Sequence, residues 1–115
     1  MIVNVASIAA FDGQEGQCAY AAAKAALVGM TLPAARHLRR HGIRVVTIAP
    51  GTFLTPPVAA APRAIRDIFT ASVLTPGRLG HPEEFGRFVV HVCENSYVNG
   101  DTFRLDGGAR LPARD

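Results

Sequence analysis

The 115-residue sequence predicts an α/β fold, the C-terminal half of a doubly wound parallel sheet with three strands and intervening helices. Segments 1–6 and 43–49 are apolar and β-branched without clean alternation, which is typical of strands buried on both faces. An alanine-rich helical segment, 17–41, separates them. Such alternation of strand and helix implies right-handed crossovers in a parallel sheet. Only three strands are visible, so the single domain 1–115 holds at most half of the fold.

The first half of the chain contains one long helix between two strands. MIVNVA (1–6) predicts a buried strand, and the glycine-containing residues 7–16 predict a loop. Residues 17–41 carry small and apolar side chains around most of the circumference, so we expect a helix buried on several sides. Pro33 is expected to kink or break this helix, and Gly42 to end it.

The second half contains shorter elements. IRVVTIA (43–49) is the clearest strand of the chain and ends in a loop that opens at Pro50. Residues 58–72 predict one or two short helices, interrupted by a proline. A proline followed by two glutamates favours the start of a helix over 82–95. DTFRLDG (101–107) predicts the final strand.

Composition excludes several classes of protein. The chain is 49% hydrophobic and 18% charged, which favours a packed core over disorder. Cys18 and Cys93 lie far apart and indicate reduced, small core residues of a cytoplasmic protein. His37 and His41 have no neighbouring thiolate or carboxylate to complete a metal site. The N-terminus lacks the features of a signal peptide, and no apolar run free of charge and proline is long enough for a membrane span, so we expect no membrane contact.

The mild net charge of +3 is concentrated in one basic segment. Arg36, Arg39, Arg40 and Arg44 gather where the long helix ends. Cations are favoured at a helix C-terminus, so a solvated helix end is the first interpretation. Binding of a phosphate or nucleic acid is the weaker alternative.

Three side chains could carry proton-transfer chemistry. Tyr20 and Lys24 are four residues apart on the predicted helix and therefore share a face. A phenol normally titrates near 10, and a neighbouring ammonium favours its ionised form, which eases proton exchange with an alcohol or a carbonyl oxygen. Ser7 follows the first strand, at the end of a parallel sheet where ligands bind. The YxxxK spacing is also common in helices whose tyrosine and lysine have no chemical role.

Ser7, YAAAK (20–24) and IRVVTIAPGTFLT (43–55) together resemble the short-chain dehydrogenase/reductase family, which has a Rossmann-like fold. The resemblance covers essentially the whole chain and is closest to the type-2 3-hydroxyacyl-CoA dehydrogenases, also called 17β-hydroxysteroid dehydrogenase type 10. NVASIAAFDGQEGQ, GMTLPAARHL, PGRLGHPEEF and NGDTFRLDGGAR also support it.

The resemblance implies specific roles for the three residues. Ser7 would position the substrate oxygen, and Tyr20 would act as the acid/base. Lys24 would hold the nicotinamide ribose and, as in the family, lower the pKa of the tyrosine. Ser7, Tyr20 and Lys24 are therefore the expected catalytic residues.

The resemblance also implies a cofactor loop after the second strand. Pro50 and Gly51 would permit a tight turn against a planar ring, since glycine has no Cβ to collide with it. Phe53 would lie along the cofactor and Thr55 would bind the carboxamide. Gln14 would line the substrate side, unless it is a simple loop residue. A further residue, Asp106, is expected to be a turn carboxylate that caps backbone amides.

The family's N-terminal dinucleotide-binding half, with its glycine-rich turn, is expected to be absent, because GQEGQ and GGAR lack the required spacing. The expected function is an NAD(P)-dependent oxidoreductase that interconverts a secondary alcohol and a ketone on a 3-hydroxyacyl-CoA or hydroxysteroid-like substrate. NAD is the expected cofactor, and NADP stays open. A homo-oligomer or a complementing N-terminal half is the expected partner. The alternative is a non-catalytic, truncated remnant that acts only in protein association.

Overall fold

The computed structural model describes residues 1–113. Three strands, β1 (Ile2–Val5), β2 (Val45–Pro50) and β3 (Thr102–Leu105), form one parallel sheet in the order β1-β2-β3. The helices are α1 (Cys18–Leu38), α2 (Pro56–Ala59), α3 (Arg63–Ala71) and α4 (Pro82–Glu94), with 3₁₀ turns at Ile8–Ala10 and Arg39–His41. The predicted fold class and the order of its elements are confirmed.

Helices cover both faces of the central strand, β2. Side chains alternate between the two faces of a strand, so Thr47 and Ile48 face opposite sides. The Thr47 hydroxyl hydrogen-bonds the Thr31 hydroxyl of α1. On the other face, Phe103 lies beside Ile48 in register and packs edge-on against Phe88 of α4, with 6.1 Å between ring centroids. The core is therefore centred on β2, whose first five residues are buried.

The first strand is not buried on both faces, and that expectation is wrong. β1 pairs only with β2 and forms one edge of the sheet among the described residues. Ile2 is 42% exposed and Val5 is 44% exposed. Apolar composition predicted the strand correctly, but burial depends on neighbours that this part of the chain does not supply.

Helix α1 is also less buried than predicted. Only Thr31 and Ala35 are buried, because the helix packs on the sheet along one narrow stripe of its surface. It continues through Pro33 without a break. Gly29, whose carbonyl the proline leaves unpaired, is exposed, so water can satisfy that group. Gly42 ends the segment in the left-handed conformation, with φ of 66°, as predicted.

By length and composition alone, the segment Cys18–His41 could cross a membrane, with a mean hydropathy of 1.3. The core helix of a water-exposed domain passes the same test. Here 11% of the segment is buried, and the buried Thr31–Thr47 hydroxyl pair joins the helix to β2.

The cysteines are free but are not core residues, which corrects the expectation. Cys18 is the first residue of α1 and Cys93 lies in the last turn of α4. Both are exposed, because helix ends project beyond the sheet that the helices cover. Their size and apolar character suited a core position equally well.

The basic segment at the end of α1 is divided between two environments. Arg44 donates to four main-chain carbonyls at the C-terminal end of α4, those of Val92, Cys93, Asn95 and Val98. It therefore caps that helix end and does not join Arg36, Arg39 and Arg40, which are exposed.

Candidate active site

A cleft of about 870 Å³ opens at the C-terminal ends of β1 and β2. We call it the strand-end cleft. Its walls come from the segment after β1, the first turn of α1, the loop after β2, and side chains of α2, α3 and α4. All but one of the predicted site residues line it, namely Ser7, Gln14, Tyr20, Pro50, Gly51, Phe53 and Thr55. The remaining one, Lys24, lies beside it.

Ser7 and Tyr20 face the same cleft from two different elements. Ser7 follows the extended end of β1, and its Oγ accepts a hydrogen bond from the Ala9 main-chain N–H at 3.1 Å. That bond fixes the side chain while leaving the hydroxyl proton available for donation. Tyr20, in the first turn of α1, is 49% exposed. The side chains of Ser7 and Tyr20 therefore line one cleft, and each carries a hydroxyl group.

Lys24 lies one turn after Tyr20, as the four-residue spacing predicts. Its Nζ is 5.8 Å from the centroid of the Tyr20 ring. The same ammonium donates to the carbonyl oxygen of Val5 at 3.1 Å. Lys24 therefore links α1 to the end of β1 and places a positive charge beside the phenol.

The loop after β2 begins at Gly51, where a side chain has no space. A Cβ at Gly51 would lie 2.8 Å from the Cβ of Asp106 and 2.9 Å from its Cα. The neighbour that requires glycine is thus the backbone at the end of β3. The predicted contact of Gly51 with a planar ligand ring stays a prediction.

Phe53 lines the strand-end cleft and is held by two neighbours. Its ring packs edge-on against Phe85 of α4 at 5.8 Å between centroids. A Cβ at Gly80 would come within 2.6 Å of the Phe53 ring, so this glycine makes the space that the ring fills. Main-chain bonds from Leu54 to Gly80 and from Gly80 to Thr52 fix the two segments together. The aromatic wall is therefore rigid.

Two polar residues complete the lining. Gln14 is 9% exposed and lines the cleft from the loop before α1. Thr55 precedes α2, and its hydroxyl does not cap that helix. Both can present hydrogen-bonding groups to a bound molecule.

A buried ion network, which sequence reasoning missed, ties the serine segment to β3. Arg104 forms a bidentate pair with Asp12 at 2.9 and 2.6 Å and also bonds Asp106 at 2.7 Å. The side chains of Arg104 and Asp12 are only 22% and 13% exposed. Hydrogen bonding to Arg104 lowers the pKa of Asp12 below its ordinary value of 3.8. Asp12 and Arg104 are 92 residues apart, so no local pattern could have paired them.

Asp106 is a turn carboxylate, as predicted. One oxygen accepts from the Gly108 main-chain N–H at 2.9 Å, and the other accepts from Arg104. The carboxylate thus fixes the turn against which Gly51 packs.

Comparisons with known proteins agree over nearly the whole chain. A family model described as enoyl-(acyl carrier protein) reductase matches residues 1–110. The chain is 53% identical over 111 residues to 3-hydroxyacyl-CoA dehydrogenase type-2 of Drosophila melanogaster and 49% identical over 111 residues to that of Homo sapiens, and each match covers 96% of this chain. A crystal structure of 3-hydroxyacyl-CoA dehydrogenase type-2 from Mycobacterium avium superposes with a TM-score of 0.92 at 47% identity and covers 96% of this chain.

The match covers a much smaller share of each relative than of this chain. It covers 44% of the Drosophila protein, 42% of the human protein and 43% of the Mycobacterium chain. The chain therefore spans less than half the length of each.

Proposed function

Because the chain belongs to the short-chain dehydrogenase/reductase family, we propose that its strand-end cleft is the proton-transfer side of an NAD(P)-dependent oxidoreductase that interconverts a secondary alcohol and a ketone. The observation that carries the proposal is the convergence of Ser7 and Tyr20 on one cleft with Lys24 beside the phenol. These residues come from two elements that meet only in the folded chain.

Each of the three side chains has a distinct task in the proposed reaction. The hydroxyls of Ser7 and Tyr20 donate to the substrate carbonyl oxygen and stabilise the charge that develops there during reduction. Tyr20 then transfers its proton to that oxygen, and in the oxidative direction it removes the proton from the alcohol. Lys24 favours the phenolate that is left and holds the ribose next to it.

The residues after β2 fit the nicotinamide end of a dinucleotide. The Phe53 ring gives the cleft a flat apolar wall, held by Phe85, and the Thr55 hydroxyl does not cap α2. In the proposal, Pro50, Gly51 and Phe53 seat the ring and Thr55 bonds its carboxamide. The cofactor supplies the hydride chemistry. NAD is the proposed cofactor, with NADP as the alternative.

A 3-hydroxyacyl-CoA is the proposed substrate, with a hydroxysteroid-like alcohol as the alternative. The printed names of the relatives at 49–53% identity support the acyl-CoA. Gln14 lines the cleft on the side of Ser7 and is proposed to contact the substrate. The free thiols of Cys18 and Cys93 suit a cytoplasmic location.

The proposed partner is a polypeptide segment that supplies the remainder of the family domain, or further copies of the chain. The short coverage of the relatives supports the first partner. The exposed edge of β1 supports either partner, because its outer main-chain groups can pair with another strand.

The proposal is tested by measuring NADH-dependent reduction of acetoacetyl-CoA. The chain is assayed alone and after joining to the segment that precedes the matched region in a type-2 relative. We expect turnover by the joined protein, with reduced-nicotinamide absorbance falling in step with formation of the 3-hydroxyacyl product. A folded joined protein that binds neither NAD nor NADP would contradict the proposal.

A second candidate is a non-catalytic remnant that acts in protein association. The exposed apolar residues of the β1 edge favour it, since such edges are sites of strand addition. A folded chain that captures the complementary segment, yet shows no nicotinamide binding after capture, would favour this second function.

A further inference from the structure

A second, smaller cleft of about 280 Å³ runs along one flank of α3. Arg63, Arg66 and Thr70 line it from α3, and Arg78 and His81 line it from the segment before α4. We call it the arginine cleft. None of these residues lines the strand-end cleft.

Two of the three guanidinium groups in the arginine cleft have carboxylate partners. Arg63 is 3.7 Å from Asp67, with both side chains largely exposed. Arg78 forms a bidentate pair with Glu84 at 2.9 Å, and this pair lowers the pKa of Glu84 to about 2. Each of these two carboxylates therefore balances one arginine.

The third guanidinium, that of Arg66, is uncompensated. No carboxylate among the described residues pairs with it, and its Nε is buried without a hydrogen-bond partner there. Buried donors almost always have partners in native proteins, so the Arg66 guanidinium is not fully satisfied by the protein groups around it. The only other orphan of this kind within residues 1–113 is Asn4 Nδ2, in the edge strand β1.

The chemistry of the arginine cleft suits a phosphate group. A guanidinium offers parallel N–H donors that match two phosphate oxygens. Arg63 is the first residue of α3, so the positive end of the helix dipole adds to the charge of the side chains. Leu54 and Leu79 form the apolar part of the wall, and Asp67, the partner of Arg63, also lines the cleft.

We propose that the arginine cleft binds a phosphate group, with Arg66 as its principal ligand and Arg63, Arg78 and His81 around it. Resting on the proposed function, we assign this phosphate to the coenzyme A moiety of the thioester substrate. Leu54 lines the arginine cleft while its neighbours Phe53 and Thr55 line the strand-end cleft, and Thr70 and Phe69 are divided in the same way. The two clefts therefore share a wall. In the proposal, the strand-end cleft holds the reacting group of the substrate, and the arginine cleft holds its phosphate group.

The test titrates the purified 115-residue chain with inorganic phosphate, adenosine 3′,5′-bisphosphate and NAD separately. The Arg66 Nε–H resonance is followed by NMR and affinity by calorimetry. We expect saturable binding of phosphate and tighter binding of the bisphosphate, both with a shift at Arg66 Nε. NAD should leave that resonance unmoved.

Matched variants separate a built site from general charge attraction. Arg66→Gln should weaken bisphosphate binding by about tenfold or more, the effect of losing a charge-assisted hydrogen bond. Arg66→Lys should retain part of the affinity. Arg36→Gln removes the same charge from an exposed position that lines neither cleft and should leave the affinity unchanged.

Equal losses in Arg66→Gln and Arg36→Gln would overturn the proposal, as would a failure of the chain to bind the bisphosphate. A shift at Arg66 with NAD alone would overturn the assignment to the substrate. These readouts need no turnover, so an inactive joined protein contradicts only the proposed function if the chain binds the bisphosphate. An active protein that does not bind it contradicts only this inference.

Discussion

At the scale of single residues, Gly51 makes the sharpest prediction about stability. Its Cα lies against the Cα and Cβ of Asp106, so an added methyl group has no space. Gly51→Ala should destabilise the fold by about 1–3 kcal/mol, the usual cost of overpacking. Urea unfolding followed by circular dichroism measures the change in the free energy of unfolding.

Gly29→Ala is the matched control. Gly29 lies inside α1 with nothing within 4 Å of the position that a Cβ would take. Alanine there should stabilise the helix by roughly 0.5–1 kcal/mol. Equal effects of the two substitutions would contradict the close contact at Gly51.

Side chains with local signals could be predicted from the sequence, and those with long-range partners could not. The spacing of Tyr20 and Lys24 is a property of one helix, and Ser7 directly follows one strand. All three residues could therefore be predicted from the sequence. The partner of Arg104 is Asp12, on a distant loop, and each of them is an ordinary polar residue in isolation. Gly51 was identified as special, but the neighbour that requires it lies beyond its own loop.

At the scale of elements, the Asp12–Arg104 pair joins the segment after β1 to β3, and this link makes a pH prediction. The folded-state pKa of Asp12 lies below the unfolded value of 3.8. The ionised Asp12 carboxylate therefore stabilises the fold fully above a pH of about 4. This stabilisation is lost as the pH falls through the folded-state pKa. Asp12→Asn should cost about 2 kcal/mol at neutral pH, less than a fully buried pair because of partial exposure.

Chemical denaturation at a series of pH values measures this effect. The difference between the original chain and Asp12→Asn should shrink as the pH falls below 3.8. Asp67→Asn serves as the control, since its pairing with Arg63 is exposed and long. It should change the free energy of unfolding by at most about 0.5 kcal/mol. A cost for Asp12→Asn no larger than that of the control would contradict the structural role of the pair.

Composition could predict the elements but not what covers them. Alanine and β-branched residues define α1 and β2 within a few positions, because helix and strand preferences are local. Burial of α1 and β1 was overestimated for one reason. An apolar face indicates that a neighbour exists, but not which chain segment provides it. In this chain, Val5 and most of α1 stay uncovered.

At the scale of the whole molecule, the exposed edge of β1 predicts self-association of the isolated chain. Met1, Ile2 and Val5 are all more than 40% exposed at this edge of the sheet among the described residues. A charged side chain on an edge strand opposes further pairing. Ile2→Lys should therefore increase the monomer fraction in sedimentation velocity. Tyr97→Lys, at a position that is 97% exposed and outside the strands, should leave the monomer fraction unchanged.

Tyr20 is the proposed acid/base, and a comparison of two tyrosine variants tests this role. Turnover of acetoacetyl-CoA and binding of NADH are measured for the joined protein described above, with Tyr20→Phe and Tyr97→Phe side by side. Loss of the acid/base hydroxyl should lower turnover by at least about 100-fold while NADH binding persists. Tyr97→Phe should match the original protein in both measurements. Turnover by Tyr20→Phe at the rate of the Tyr97→Phe control would contradict the account.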